Sequence, residues 1–393
     1  MNSLRVVHVI YHYDADLATP EDLLARYSTV LPLTRALHEE GAQVAVVQRF
    51  HGNASLEVDG VKFEFCSDDC APPLSKWQIP RSFHRTVHNV CRAGNGTPVI
   101  LHLHGLFYPL QLASLARLLP GNYVVVAQNH AEHPWRKPFG TIQGKGLRRA
   151  DGFFFAAREL ADTWIERRII SSKQQIFPVM EGSTEFKFQN RKDSRLATGI
   201  SGDPVLLWVG RLIQLKDPLT VLEGFEHILL QLPEAKLYMA YHQPELLCEV
   251  RRRIAASGRL KDAVVLLGQV PHAQLESIYN SADYFVLGSH YEGSGFALAE
   301  AMACGVVPVV TDIPSFRTMT DHSRVGACWT RGNARAFAGA FLKAAQQPID
   351  VLSKQTISFF QQQLSYPAIA RNSIHAYREM LAAKSKGNDC ESH

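Results

Sequence analysis

Short, unbroken apolar runs punctuate this chain, and stretches of helical period separate them. Leu4–Ile10, Gln43–Gln48, Pro98–His102, Tyr123–Ala127 and Gln175–Pro178 read as strands. Pro20–Glu40 reads as one helix, with Leu33 and Leu37 on its apolar face and Gly41 as its stop. Leu110–Leu119 and Arg158–Arg168 read as two more helices, and Val58–Phe65 as a ribbon with a turn at Asp59-Gly60. A polar stretch, Glu181–Asp203, then reads as a linker. Beyond it the alternation restarts. Val205–Val209, Lys236–Ala240, Val264–Leu267, Tyr284–Leu287 and Val307–Val310 are the expected strands, and Pro218–Leu232, Leu246–Ser257, Ala273–Ala282, Gly295–Ala303 and Ala334–Gln346 the helices. A last helix, Pro367–Ala383, precedes a polar tail.

Strands that alternate with helices predict an α/β class with parallel sheets covered on both faces. The expected domains are residues 1–183 and 184–365, with 366–393 returning to the first as a helix and tail. A length of 393 residues suits about two domains. Ligands of such sheets bind outside the carboxyl ends of the strands.

Composition is ordinary for a globular protein, at 46% hydrophobic and 20% charged residues. A net charge of +4 is too mild to imply nucleic acid as a partner. Charge is uneven, however: Met1–Pro80 carries 6 basic and 11 acidic residues, whereas Arg81–Ser183 carries 13 and 6. The basic part, Arg136–Arg168 above all, is a candidate for peripheral contact with an anionic membrane. Seven cysteines without paired spacing suggest free thiols and a reducing compartment. The start shows no secretory pattern and no apolar run is long enough to span a bilayer, so a cytoplasmic protein is expected, with the inner membrane face as a second site.

The chemistry concentrates in Ser289–Gly305. Glu292 and Glu300 stand there with seven residues between them, and Gly293-Ser294-Gly295 leads into an apolar helix. Glycines let backbone amides approach a ligand, and a helix start attracts an anion. Eight residues of helix rise about 12 Å, enough for a sugar, a diphosphate and a ribose laid end to end. Gly210-Arg211 closes an earlier strand, with Lys216-Asp217 on the loop that follows. Arg211 can grip a diphosphate with its planar fork and Lys216 as a point charge.

The order Val209-Gly210-Arg211, Lys216-Asp217, Leu267-Gly268-Gln269-Val270-Pro271, Ala282–Leu287 and Ser289–Asp312 resembles the retaining glycosyltransferases of family four. The resemblance is specific over roughly Pro204–Ser315 and only topological before it. It implies the GT-B fold, two doubly wound Rossmann-like domains facing across a cleft. It implies Arg211 and Lys216 on the donor diphosphate and Glu292 on the donor sugar. Gly210, Gly293 and the amides of Ser294, Gly295 and Phe296 would meet sugar and phosphate. Glu300 would hold the ribose, and Gln269 and Val270 the base. In the first half it implies His130, after the strand Tyr123–Ala127, as a residue near the reacting sugar, with His104 and Tyr13 on the acceptor side.

The implied reaction passes a sugar from a nucleotide diphosphate sugar, a UDP-sugar favoured, to a hydroxyl acceptor with retention, the leaving diphosphate serving as base. No cofactor and no metal are expected. A sugar-nucleotide epimerase or phosphorylase, and a nucleotide-sugar binding protein without catalysis, are the competing readings.

Three departures bear on specificity. Tyr11–Asp16 lacks the glycine pair usual after the first strand, so that loop binds acceptor differently or moves. Ser294 replaces an aromatic, and Thr318 stands where a glutamate is common. Gly140–Gly146 looks like a phosphate loop but has one residue too few between its glycines and no hydroxyl residue after Lys145. It reads as a flexible, basic, acceptor-side loop. His102 is expected to pack, and His84 and His88 to lie on a solvated helix face without a metal.

Overall fold

The computed structural model describes residues 4–93, 97–119 and 123–391, with the side chains of the last helix described as far as Lys386. The chain divides into two units, Met1–Gly182 with Tyr366–His393, and Ser183–Ser365.

The first unit is an eight-stranded sheet of β1 (Arg5–Ile10), β2 (Gln43–Arg49), β3 (Ala54–Val58), β4 (Val61–Cys66), β5 (Val99–His104), β6 (Tyr123–Gln128), β7 (Gly152–Phe155) and β8 (Gln175–Pro178). Its order is β3-β4-β2-β1-β5-β6-β7-β8. All neighbours run parallel except the β3–β4 hairpin, whose Asp59 and Gly60 have φ of 51° and 75°. Positive φ at both central positions matches the twist of the flanking strands. Val6, Val7 and Val9 of β1 are fully buried, as are Phe153, Phe154 and Phe155 of β7. Burial on both faces explains the unbroken apolar runs, and each such side chain contributes about 1.5–3 kcal/mol.

The second unit is a wholly parallel sheet of β9 (Val205–Arg211), β10 (Lys236–His242), β11 (Val264–Gly268), β12 (Tyr284–Leu287), β13 (Val307–Thr311) and β14 (Ala327–Trp329), in the order β11-β10-β9-β12-β13-β14. Strand order therefore reverses between β1 and β5 in one unit and between β9 and β12 in the other. At these switch points adjacent connections leave in opposite directions and open a crevice at the strands' carboxyl ends.

The closing helix, Tyr366–Glu391, packs on the first unit. Tyr377 is fully buried there and its hydroxyl donates to His102 Nδ1 at 2.5 Å. Lys384 Nζ donates to the Tyr123 carbonyl at 2.7 Å and pairs with Asp151.

Several expectations need correction. Pro20–Glu40 is two helices, Pro20–Arg26 and Val30–Glu39. A continuous helix would set the Pro32 ring against the Ser28 carbonyl, which it could not bond. With a new start at Val30, Pro32 falls in a first turn, where no N–H is required. Thr19 and Asp22 close a capping box on the first helix. Glu181–Asp203 is no plain linker, because Arg191–Thr198 forms a helix capped by Asn190, and its Arg195 pairs with Asp283 at 2.6 Å. Gly140–Gly146 lies within a helix, Phe139–Leu147, and not in a flexible loop. A Cβ on Gly146 would lie 2.3 Å from the Pro109 carbonyl, so the glycine lets this helix close on its neighbour. The loop Tyr11–Asp16 is tied down: the Tyr11 hydroxyl and His84 Nε2 share a hydrogen bond of 2.9 Å, and Asp14 pairs with Arg26 at 2.8 Å. His84 is thus fully buried rather than solvated.

Candidate active site

In the second unit the candidate donor residues gather at the carboxyl ends of β9 and β12. After Arg211 a short turn, Gln214–Lys216, leads to Asp217, whose φ of 42° and ψ of 57° fold the chain back into helix Pro218–Ile228. The exit of β12 lies directly on this turn. A Cβ on Gly288 would stand 2.9 Å from the Asp217 carbonyl, so only glycine permits the approach. His290 seals the junction, its amide donating to the Leu215 carbonyl at 2.9 Å and its Nε2 to Asp217 Oδ2 at 3.0 Å.

This junction brings Lys216 onto Glu292. The ammonium donates to Glu292 Oε1, which also accepts from Ser289 Oγ at 2.6 Å. Thr311 donates to the Ser289 carbonyl at 2.6 Å and Ser315 to the Glu292 carbonyl at 3.0 Å, fixing the carboxylate from below. Arg211, the last residue of β9, is half-buried, and its guanidinium has no ion pair or hydrogen bond among the described residues. Gly295, with φ of 63°, opens the helix Phe296–Ala303, and Ser294 is buried before it. Amides of a first helical turn have no partner within the helix.

Gln269 and Val270 line a cavity of about 100 Å³ with Val209 and His242, at the ends of β9, β10 and β11. Glu300 lies inside the helix Phe296–Ala303. It accepts from the Tyr279 hydroxyl and from His272 Nε2, both at 2.9 Å. The hydrogen bond to Glu300 raises the His272 pKa above its usual range, and burial followed by Glu300 raises that of Tyr279 well above its own. The carboxylate's need for partners in an apolar helix is therefore met by the protein. His272 is 69% exposed, so it is the partner free to give way to a ligand.

The first unit holds a separate cavity of about 380 Å³ at the ends of β1, β5 and β6. Ile10, Tyr27, Val30, Leu33, Phe107 and Tyr108 make an apolar wall. His12, Thr29, His104, His130, Glu132 and Glu181 supply its polar groups. The break between the two early helices places Tyr27, Thr29 and Val30 there. Tyr13 does not line it, contrary to expectation. That ring is buried against Phe50 beneath the Arg49 guanidinium, and its neighbour His12 takes the place on the wall.

The polar groups form a line. His130 Nδ1 donates to Glu181. With His130 neutral, its Nε2 accepts from His104 Nδ1 at 3.2 Å, and His104 Nε2 accepts from His8 Nδ1 at 2.9 Å. The Nε2 lone pair of His8 is then left without a partner at the end of the line. Protonation of His130 reverses each link and strands an N–H at His8, which costs more. Two carboxylates oppose that cost: burial draws the His130 pKa down, but Glu181 and Glu132 outweigh it and hold it above the usual value. Burial, then repulsion from neighbouring imidazoles (His104 on His8, and His102 and His130 on His104), keeps His8 and His104 well below theirs. Glu132 accepts from the Leu106 amide at 2.8 and 2.9 Å and from the His130 amide at 3.3 Å.

Ring nitrogens of His8, His102 and His104 come within 4.8 Å of one another. Their rings are stacked, however, His102 lying 22° from His8 and 17° from His104. Lone pairs in near-parallel rings do not converge on one ion. Both His102 nitrogens are also engaged, Nε2 donating to Gln128 Oε1 at 2.9 Å and Nδ1 accepting from Tyr377. The trio is a hydrogen-bonded stack, and packing was the role expected of His102.

The sequence reading missed Glu132, Glu181 and His8 in this unit and Ser289 and His272 in the other. Glu181 stands three residues past the end of strand β8, in the stretch read as a linker.

Comparisons with known proteins bear on the second unit and on the fold. The glycosyl transferases group 1 profile matches residues 190–357, inside the second unit. The GDP-mannose:cellobiosyl-diphosphopolyprenol alpha-mannosyltransferase of Xanthomonas campestris is 32% identical over 63% of this chain and 65% of its own length. The mannosylfructose-phosphate synthase of Agrobacterium fabrum is 33% identical over 35% of this chain and 30% of its own length. The matched stretches thus span about two thirds of one relative and under a third of the other. Among solved structures, sucrose-phosphate synthase from Thermosynechococcus elongatus superposes with a TM-score of 0.65 at 19% identity, covering 97% of this chain and 100% of its own. HepE from Anabaena, solved in complex with UDP, gives 0.67 at 13% identity, covering 96% and 100%. At such identities the likeness is one of fold, and the fold is GT-B. Residues 190–357 of the second unit thus carry the match to the glycosyl transferases group 1 family, in a chain of GT-B fold.

Proposed function

We propose that this protein is a retaining glycosyltransferase that moves a sugar from a nucleotide diphosphate sugar to a hydroxyl acceptor without a metal ion. The observation that carries the reading is the junction at β9 and β12. Arg211 closes β9 there with no ion pair among the described residues, the Lys216–Glu292 pair follows on the adjoining turns, and the helix Phe296–Ala303 starts beyond it. Arg211, Lys216 and the first-turn amides would take up charge on the departing diphosphate. Glu292 would hold sugar hydroxyls. In the reaction the acceptor oxygen bonds the anomeric carbon, the bond from that carbon to the diphosphate oxygen breaks, and the acceptor proton leaves on the diphosphate. Such a scheme needs no carboxylate pair flanking the anomeric carbon.

A UDP-sugar is the favoured donor, supported by the UDP complex of HepE, with a GDP-sugar as competitor because of the Xanthomonas relative. A thermal-shift panel of UDP-, GDP- and ADP-sugars tests this, since bound donor stabilises the folded state. Stabilisation by one donor, followed by transfer with retained configuration in the presence of a chelator, is expected. Absence of any donor shift overturns the reading.

The first unit also suits contact with an anionic membrane. Trp77 and Phe139 are 47% and 45% exposed, and the Lys76 ammonium sits 4.9 Å from the Trp135 ring centre and 5.5 Å from that of Phe139. Arg136, Lys137, Lys145, Arg148 and Arg149 are exposed on and around the helix Phe139–Leu147. Aromatic rings with cations favour the headgroup layer. Co-sedimentation that rises with anionic lipid content is expected, and independence from it counts against the contact.

A further inference from the structure

Resting on the transferase reading, the cavity of the first unit says what kind of hydroxyl enters it. Among the described residues neither lysine nor arginine lines it, whereas two carboxylates, Glu132 and Glu181, do. The nearest guanidiniums are spent elsewhere: Arg26 pairs with Asp14, and the buried Arg49 is locked on Asp68 and on the Tyr11 and Cys70 carbonyls. A protonated His130 adds one positive charge, but Glu181 and Glu132 already face it. A phosphate entering here would meet a floor with no net positive charge and no free donor fork, and would lose its hydration for nothing.

The apolar wall points the other way. Phe107 lines the cavity and also stacks on Trp135, with ring centres 6.3 Å apart and planes 24° apart. Trp135 continues to Trp77 at 6.5 Å, and Trp77 to Phe139 at 5.8 Å. The rings thus run as one track from the cavity to the surface. Two fully buried amides hold this track in place. Gln143 accepts from the Trp135 amide at 2.8 Å and donates to the Leu106 carbonyl at 3.1 Å. Gln111 donates to the Ser75 and Gln78 carbonyls at 3.3 and 2.7 Å, gripping the loop that carries Lys76 and Trp77. Exposed rings on backbone this firmly held are presented for contact rather than left over from packing.

We infer that the acceptor is a neutral amphiphile, an uncharged hydroxyl-bearing headgroup on an apolar chain, with the headgroup at His130 and the chain laid along Phe107 toward Trp135 and Trp77.

Binding without donor tests this. Octyl β-glucoside, kept below its micelle-forming concentration, and glucose 6-phosphate are titrated by calorimetry into the full chain and into Phe107→Ala and Thr29→Lys. Octyl glucoside should bind about tenfold or more tightly than glucose 6-phosphate. Phe107→Ala, at an exposed ring that leaves the core intact, should weaken octyl glucoside about threefold or more and leave glucose 6-phosphate unchanged. Thr29→Lys should bring glucose 6-phosphate binding up by supplying the missing cation. Equal or tighter binding of glucose 6-phosphate by the unaltered chain overturns the inference. So does octyl glucoside binding that Phe107→Ala does not change. The donor panel is independent of these titrations, so failure of the transferase reading shows there and not here.

Discussion

Lys216 and Glu292 form an ion pair in which each side chain is only 12% exposed. The cation expected on the donor diphosphate and the carboxylate expected on the donor sugar are thus each other's partners in this structure. Donor binding must replace their mutual contact with contacts to its own charge and hydroxyls, and the two residues stand or fall together.

Removing one partner alone leaves the other half-desolvated. Lys216→Ala should lower kcat by about 100-fold or more, because the departing phosphate loses a charge partner. It should also cost about 3 kcal/mol in stability, because Glu292 is left uncompensated. Lys216→Met with Glu292→Gln should recover most of the stability and none of the activity. Denaturant titration beside steady-state rates separates the two effects, and wild-type turnover in Lys216→Ala would sink the assigned role.

Glu300 raises the His272 pKa through their hydrogen bond. In Glu300→Gln the imidazole should titrate nearer its ordinary value of 6.5, followed by NMR. Nucleotide affinity should fall about tenfold in the same variant, through loss of a charge-assisted hydrogen bond. If His272 titrates as before, it owes its shift to something else.

His84 is held neutral by burial, its pKa lowered to about 4. Above the unfolded value near 6.5 both states are neutral and nothing is lost. As pH falls from there to about 4, the unfolded chain takes up a proton that the folded one refuses, and stability declines by an amount on the order of 3 kcal/mol. His84→Phe should reduce this acid-side slope while costing about 1 kcal/mol at neutral pH for the Tyr11 hydroxyl left without its partner. Urea midpoints across the pH range check both signs.

Gly146→Ala should destabilise the first unit by about 2 kcal/mol or more, since its Cβ would overlap the Pro109 carbonyl at 2.3 Å. Gly258→Ala, where nothing lies within 4 Å of the added carbon, is the control expected to be neutral or stabilising. Thermal midpoints that move equally would contradict the packing argument.

The sheets were legible because parallel strands buried on both faces must be largely apolar, as Val205–Trp208 is throughout and Val6–Ile10 is apart from His8. The second-unit residues were legible because they cluster in sequence on two strand ends. What was missed depended on contacts between distant residues. Nothing local marks Glu181 as the partner of His130, or His8 as the third ring of its line. The helix break before Val30 had a signal in Pro32, outweighed by the apolar period around it. The glycines at 140, 144 and 146 suggested looseness. Their cause was the opposite, a helix pressed so closely on its neighbours that no side chain fits.

Pro32 reaches further than its own helix. By forbidding a continuous helix it sets the backbone path of Tyr27, Thr29 and Val30, which form one rim of the first-unit cavity. The breadth of that opening is therefore a property of the main chain, while side chains such as Phe107 and Leu33 adjust only its depth and lining. Related chains with bulkier or slimmer acceptors should differ first in where this second helix begins, and only afterwards in the residues that face the ligand.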